Sequence, residues 1–447
     1  MTYGHPQGKV FYRKLSHTYP MVTHGDGIYL YDENGKRYID GSGGALVVNI
    51  GHGRREILKV MAEQMSSVGY VHGTQFTTKS IEDYAEALGK VLPEGLGRIY
   101  FLSGGSEAIE AAVKFARQYF LELGQPQRWR VVARWQSYHG NTLGALSLTG
   151  RTGARKPYLP LLINFPHVAA PYCYRCPFHL SYPSCGVECA KALERLIQME
   201  GAETLSAVLL EAVSGATLGA VVPPKEYLPS IEDICKRYGI LLIDDEVMAG
   251  MGRTGKWFAV EHWGVKPDIL VMGKGTSGGY FPLSAMATRS EFVDRLKEGS
   301  GGFVHGHTFS HHPVACAVGL AVLGYLQEEH LVERAEERGI YLLKKLEELK
   351  TFSFVGDVRG KGLLTAIEFV KNQKTKEPFP RSLKVAEKVM DAAFGNGLVL
   401  YPGTGFVDGV NGDLAMVGPP LIIEESQIDE LIEILKRTFS QVEQEVK

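Results

Sequence analysis

Between residues 98 and 288 the chain alternates short apolar runs with amphipathic stretches, and this alternation limits the fold more than any other feature. Residues 98–102, 131–135, 207–211, 240–244, 269–272 and 284–288 are rich in Val, Ile and Leu with little polar alternation, as strands covered on both faces must be. Between the first two runs Ile109, Ala112, Val113, Ala116 and Phe120 recur at i, i+3, i+4, i+7 and i+11, one apolar stripe of a helix. Strands that take turns with helices predict an α/β fold with a mostly parallel central sheet flanked by helices on both sides.

The flanks follow a different pattern. Residues 20–40 predict a small hairpin in which Asn34-Gly35 turns the chain between two Tyr-containing strands. A long helical stretch spans about 315–350, and the last helix is expected to begin at Ser426, three residues before Asp429 in a capping-box spacing. The 447 residues suggest two to three domains at about 150 residues each. The expected division is a large domain over 71–334 and a smaller α+β domain assembled from 1–70 and 335–447. No Gly/Ser or Pro linker separates them, which predicts a tight interface.

Bulk properties exclude several functions. With 48 Lys and Arg against 50 Asp and Glu, the chain has no global field for a nucleic acid. No run of about 18 apolar residues suggests a membrane span, and the first residues carry no secretory pattern, so a cytoplasmic protein is expected. Glycine is the anomaly: 52 residues, about 12 %, where about 7 % is usual. Without a three-residue period these glycines must serve turns and close backbone approaches.

Their clusters fall at strand ends. Ser103-Gly104-Gly105-Ser106 follows the first strand and opens the 109–120 helix, where free N–H groups and the dipole suit a phosphate. Gly250, Gly252 and Gly255 follow Asp244 and Asp245, whose side chains must point to opposite faces, so only one can meet a given ligand. Gly273-Lys274-Gly275 puts an amine at the mouth of the sheet, where lost solvation lowers its pKa and makes it a nucleophile. Phosphate cradle, carboxylate and amine are what pyridoxal 5'-phosphate requires, with Tyr138 available to stack on its ring.

The run LLIDDEVMAGMGRTGKWFAVEHWGVKPDILVMGKGTSGGYFPLSA resembles the signature region of the class III, or ω-, aminotransferases, fold-type-I pyridoxal phosphate enzymes. GIYLYDENGKRYIDGSGG, SGGSEAIEAAVKFAR, YHGNT, HGHTFSHHP, VRGKGL and GPPLII extend the likeness in order over most of the chain. The resemblance implies that Lys274 is the Schiff-base lysine and proton carrier, and that Asp245, rather than Asp244, partners the pyridine nitrogen. It further implies that Val247 packs on the ring, Gly105 and Ser106 bind phosphate, and Glu211 sits near the ring hydroxyl. Thr308 would reach the phosphate of a neighbouring subunit, in a homodimer or dimer of dimers. The implied reaction moves an amino group from an amine or ω-amino acid to a keto acid, pyruvate being the expected acceptor. Aminomutases, epimerases and decarboxylases with the same lysine and aspartate are the alternative.

Two segments leave the pattern. Where many amine:pyruvate enzymes of this family carry a carboxylate-binding Arg after the strand 398–400, this chain has Tyr401 followed by PGTGFVDGVNGD; Tyr cannot replace a guanidinium, and neither Arg359 nor Arg253 is assigned that role. Cys173, Cys176, Cys185 and Cys189, with His179 among them, have short spacings of the kind zinc sites use, but reduced thiols in a loop of the large domain, without metal, are the expectation.

Overall fold

The computed structural model describes residues 3–4, 8–15 and 17–446. Its centre is a seven-stranded sheet made of β1 (Leu96–Leu102), β2 (Arg130–Arg134), β3 (His167–Val168), β4 (Leu205–Leu210), β5 (Leu241–Asp245), β6 (Ile269–Met272) and β7 (Ser284–Arg289). The spatial order is β1-β7-β6-β5-β4-β2-β3. Neighbours from β6 through β3 pair in parallel, whereas β7 is antiparallel to both β6 and β1. All six residues of β4, and all of β5 and β6, are buried, which explains why these strands read as unbroken apolar runs.

The six expected strands form, with ends displaced by up to two residues. The displacement at β5 matters, because the strand runs through Asp245 rather than stopping at Asp244. β3, only two residues long, had no periodic signal to give it away. The helix Gly105–Glu122 buries Ile109, Ala112, Ala116 and Phe120, four of the five residues of its expected stripe.

Two four-stranded sheets lie outside this core, and one contains the expected hairpin. Tyr29–Asp32 and Arg37–Asp40 pair across the Asn34-Gly35 turn, where Gly35 has φ +77° and Asp32 Oδ1 accepts the Asn34 N–H at 2.9 Å. Val22–Asp26 adds a third strand and Leu398–Val399 a fourth. The other sheet contains Val355–Lys361, Leu364–Phe369, Tyr401–Thr404 and Asp413–Val417.

Two helical expectations need correction. The 315–350 stretch is two helices, Pro313–Glu328 and Leu331–Glu347, broken at His330, whose left-handed φ of +51° no Gly or Pro foretold. The last helix starts at Glu425 rather than Ser426. Gln427 Oε1 accepts the Glu424 N–H at 3.0 Å, so the return bond of the cap comes from Gln427, while Asp429 accepts from the Tyr341 hydroxyl at 2.9 Å and pairs with Lys345 at 2.9 Å.

The outer sheets are held against the core by backbone contact. After β5 the chain turns through Arg253, Thr254 and Gly255. A Cβ on Gly255 would stand 2.7 Å from the Glu336 Cβ, one on Gly362 2.4 Å from the Thr254 carbonyl carbon, and one on Gly339 2.3 Å from the Gly362 backbone. Gly339→Ala should therefore destabilise the fold by about 1–3 kcal/mol through overpacking. Gly324→Ala, with nothing within 4 Å of the new methyl, should stabilise its helix by about 0.5–1 kcal/mol. Thermal unfolding of the two variants beside the parent protein measures both.

Candidate active site

Because β1, β2, β4, β5 and β6 are parallel or lie on either side of the antiparallel β7, one sheet edge gathers the C-terminal ends of those five strands and the start of β7. A cavity of about 170 Å³ opens there. Its lining includes Gly105 and Ser106 beyond β1, Tyr138 and His139 beyond β2, Glu211 beyond β4, Asp245 and Val247 at β5, and Lys274 beyond β6. A wider cleft of about 630 Å³ lies between residues 186–194 and 225–237, away from all of these groups.

The carboxylate is held most firmly. Asp245 is 4 % exposed, and its Oδ2 accepts from His139 Nδ1 at 2.7 Å while Oδ1 accepts from the Val247 N–H at 3.0 Å. His139 is placed by its own N–H, which donates to Thr149 Oγ1 at 2.9 Å, and its Nε2 is buried without a partner. Asp244 faces away from the cavity beside buried Glu246; burial and then the Glu246 charge push its carboxyl far above the usual range. Glu211 Oε1 accepts from the Gly215 N–H at 2.9 Å, and Arg134 braces the Glu211 carbonyl at 2.6 Å. Its Oε2 is buried and unpartnered, and burial followed by the neighbouring Asp245 charge raises its pKa.

Lys274 sits in a short 3-10 turn with a left-handed φ of +46°, a strain of about 1–3 kcal/mol for a residue with a Cβ. Burial lowers its pKa to about 8 although Asp245 and Glu211 oppose the shift. Asn49 braces the turn, donating to the Gly275 carbonyl at 2.9 Å.

At the helix N-terminus Glu107 Oε2 accepts from the Ser103 and Gly104 N–H groups at 3.1 and 3.3 Å, and the N–H groups of Gly105 and Ser106 have no protein acceptor among the described residues. Ser106 Oγ accepts from the Asn141 N–H at 3.0 Å and keeps its own proton to donate. The glycines nearby are required by protein neighbours more than by a ligand: a Cβ on Gly105 would press on Val247 at 3.0 Å, and one on Gly275 on Asn49 at 3.0 Å. Gly104 has open space around it.

Of the expected residues, Gly105, Ser106, Tyr138, Glu211, Asp245, Val247 and Lys274 meet at this cavity. Thr308 does not; it is exposed in the 303–312 loop, its carbonyl accepting from the Tyr70 hydroxyl at 2.8 Å. His139, Met248 and Ala216 also line the cavity and had no assigned role; His139 was visible only as the middle of Tyr-His-Gly. Tyr138, 38 % exposed, forms the outer wall. The four loop cysteines border a space of about 20 Å³, and burial raises the pKa of Cys189 to about 11. Among the described residues no three His, Cys, Asp or Glu side chains are arranged to hold a metal.

The unpartnered Glu211 Oε2 and His139 Nε2, the free helix N–H groups and the amine match the polar needs of a flat, phosphorylated aldehyde. The aminotransferase class-III family model matches residues 11–439. The chain is 39 % identical to the aminotransferase YodT of Bacillus subtilis, over 97 % of this chain and 98 % of that one. It is 36 % identical to the putrescine–pyruvate aminotransferase of Pseudomonas aeruginosa, over 94 % and 90 %. An amine transaminase from an uncultivated Pseudomonas species, solved in its pyridoxal-phosphate-bound form, superposes with a TM-score of 0.91 at 34 % identity, covering 98 % of each chain. The chain belongs to the class III aminotransferases and is a pyridoxal-phosphate-dependent enzyme.

If burial sets the Lys274 pKa, the rate at which the apoprotein captures pyridoxal phosphate should rise with pH and level off above about 8. Glu211→Gln removes a charge that raises this pKa, so its midpoint should fall below that of the parent. Stopped-flow absorbance across a pH series reads both midpoints.

Proposed function

We propose that this enzyme transfers the amino group of a primary amine or ω-amino acid to pyruvate. The observation that carries the donor assignment is Tyr401. The strand Tyr401–Thr404 brings a half-buried phenol within electrostatic reach of Tyr138, at the sequence position where many amine:pyruvate enzymes of the family carry a carboxylate-binding arginine. The two phenols, with Met248 and Ala216 in the cavity wall, suit a donor that has no carboxylate beside its reacting amine. The named activity of the Pseudomonas aeruginosa relative supports a diamine-like donor and pyruvate.

Pyridoxal phosphate, when bound, supplies an aldehyde carbon to capture the amine and a ring to take up electrons. Gly105 and Ser106 would hold its phosphate through N–H and hydroxyl, Tyr138 and Val247 would flank its ring, and Glu211 would stand near the ring hydroxyl. Asp245 would keep a proton on the ring nitrogen, and the His139 bond at 2.7 Å fixes the carboxylate for that task. Lys274 Nζ would carry a proton between the substrate's α-carbon and the cofactor's aldehyde carbon, on the far side of the shared nitrogen. With a pKa near 8, about a tenth of this amine is neutral at pH 7, against roughly one part in 3000 for an ordinary lysine.

Thr308 completes the phosphate site of a second copy, in a homodimer or dimer of dimers. Its exposed loop, with exposed Val304 and Phe309 in it and exposed Tyr70 against it, supports that assignment. No helix among the described residues is long and apolar enough to cross a membrane. Six unpaired cysteines support a cytoplasmic site of action.

A matrix of amino donors against pyruvate, 2-oxoglutarate and small aldehydes tests the reading. Primary amines and ω-amino acids should turn over with pyruvate and poorly with 2-oxoglutarate, and Lys274→Ala should lose at least about 10³-fold in kcat. Strong 2-oxoglutarate activity, or products that are only rearranged, epimerised or decarboxylated, would overturn it.

A further inference from the structure

The absence of an arginine at position 401 leaves open how a keto acid's carboxylate is held, and most arginines around the cavity are already engaged. Arg359 Nε donates to the Gly219 carbonyl at 2.7 Å and Nη1 pairs with Asp357 and Glu368 at 2.9 Å each. Arg253 donates to the Leu363 and Pro419 carbonyls, Arg155 to those of Ser147 and Thr149 at 2.9 Å, and Arg134 to that of Glu211. None of these can turn to a substrate without leaving a buried carbonyl or carboxylate unpaired.

Arg151 differs. It is half-buried, and among the described residues its guanidinium makes no hydrogen bond or ion pair. Its backbone is fixed at the rim of the site. The Gly150 N–H donates to the Ser137 carbonyl and the Gly150 carbonyl accepts the Gln136 N–H, at 3.1 and 3.0 Å. A Cβ on Gly150 would stand 2.2 Å from the Arg134 carbonyl oxygen, so residue 151 emerges beside the segment that carries Tyr138. The loop after Tyr401 closes the other side, since Gln136 Nε2 donates to the Phe406 carbonyl at 2.6 Å and Gly409 packs on Thr152. Burial and Tyr401 raise the Tyr138 pKa, and the charges of Arg13 and Arg151 pull it back, which sets Arg151 within electrostatic reach of the phenol.

We propose that Arg151, on the rim shared by Tyr138 and Tyr401, is the guanidinium that binds the carboxylate of the keto-acid substrate. An unengaged guanidinium presents a fork of N–H donors that fits a carboxylate with two parallel bonds. A half-buried position strengthens those bonds relative to open water. Arg13 acts on the same phenol, and more strongly than Arg151, but it stands exposed, where water competes for a carboxylate and screens the pair, so the half-buried Arg151 is the better anchor. With the carboxylate anchored there, acceptor and donor are distinguished at one site: the acceptor by Arg151, the donor by the absence of a charge to place.

This inference rests on the transaminase reading above, and its test separates the two. Holoenzyme is compared with Arg151→Gln, Arg151→Lys and Arg13→Gln variants. The readouts are kcat and KM for pyruvate and for propanal, which lacks the carboxylate, and calorimetric Kd for propanoate and uncharged propanamide. Arg151→Gln should raise the pyruvate KM and the propanoate Kd by about 10–100-fold and leave propanal and propanamide within about 2-fold. Arg151→Lys should restore part of the loss, and Arg13→Gln should cost less than Arg151→Gln. An unchanged propanoate Kd in Arg151→Gln, an equal loss for propanal, or a larger effect from Arg13→Gln would overturn the anchor while pyruvate turnover by the parent enzyme kept the transaminase reading. A parent enzyme that accepts only aldehydes would overturn both.

Discussion

The arrangement depends on one buried arginine and the glycines packed around it. Arg253 is 2 % exposed, faces no carboxylate at hydrogen-bond distance, and spends its donors on the carbonyls of Leu363, Pro419 and Val48. Those carbonyls belong to three chain segments distant in sequence, so one side chain pins the outer sheets and the N-terminal segment to the loop that follows β5. Burial lowers its pKa to about 10, still well above neutrality, so the charge persists where a lysine would risk losing it. The Leu363 N–H returns a bond to the Arg253 carbonyl at 3.0 Å. Such mutual bonding is possible only if backbones touch, which is why Gly255, Gly339 and Gly362 have no room for a Cβ.

That clamp also sets the site. The same β5 that leads into Arg253 ends at Asp245, and the N-terminal segment that Arg253 grips at Val48 supplies Asn49 to the lysine turn one residue later. Carboxylate and amine are therefore positioned by the packing that joins the outer sheets to the core. The antiparallel direction of β7 adds to this, because it brings the start of a strand to the edge where the others end. Ser284 there donates to the Gly104 carbonyl at 2.9 Å and fixes the entry to the helix at Gly105.

The sequence made some of this legible and hid the rest for identifiable reasons. Buried parallel strands leave long apolar runs, so β4, β5 and β6 could be read directly. Side-chain alternation showed that Asp244 and Asp245 diverge, but only the family resemblance chose between them; the structure shows Asp245 in the cavity and Asp244 against Glu246. The His139–Asp245 bond joins residues 106 positions apart, a separation that no local pattern records. The sequence puts several glycines where backbone must approach a phosphate or the lysine. Two of them, Gly105 beside Val247 and Gly275 beside Asn49, admit neighbouring protein instead, as does Gly140 beside Ser106. His330 breaks the long helix in a left-handed conformation that a histidine does not advertise.

Lys274 shows what such a site costs the fold. Its left-handed backbone is strained, and its amine is desolvated until the pKa drops from 10.5 to about 8. Between about pH 8 and 10.5 the unfolded chain still binds the proton that the folded chain has released, so the stability of the apoprotein rises with pH across that window. Below it, folding must carry the full cost of holding a charged lysine in a half-buried turn. The Thr276 N–H and hydroxyl, both donating to the Gly273 carbonyl at 3.0 and 2.8 Å, and Asn49 on the Gly275 carbonyl offset part of that cost. These bonds restrain the backbone and leave the amine unpaired, which is the condition a nucleophile needs. Satisfying Nζ with a nearby carboxylate would relieve the strain of burial and raise the pKa together, so the fold keeps Asp245 bonded to His139 and Glu211 bonded to Gly215 instead.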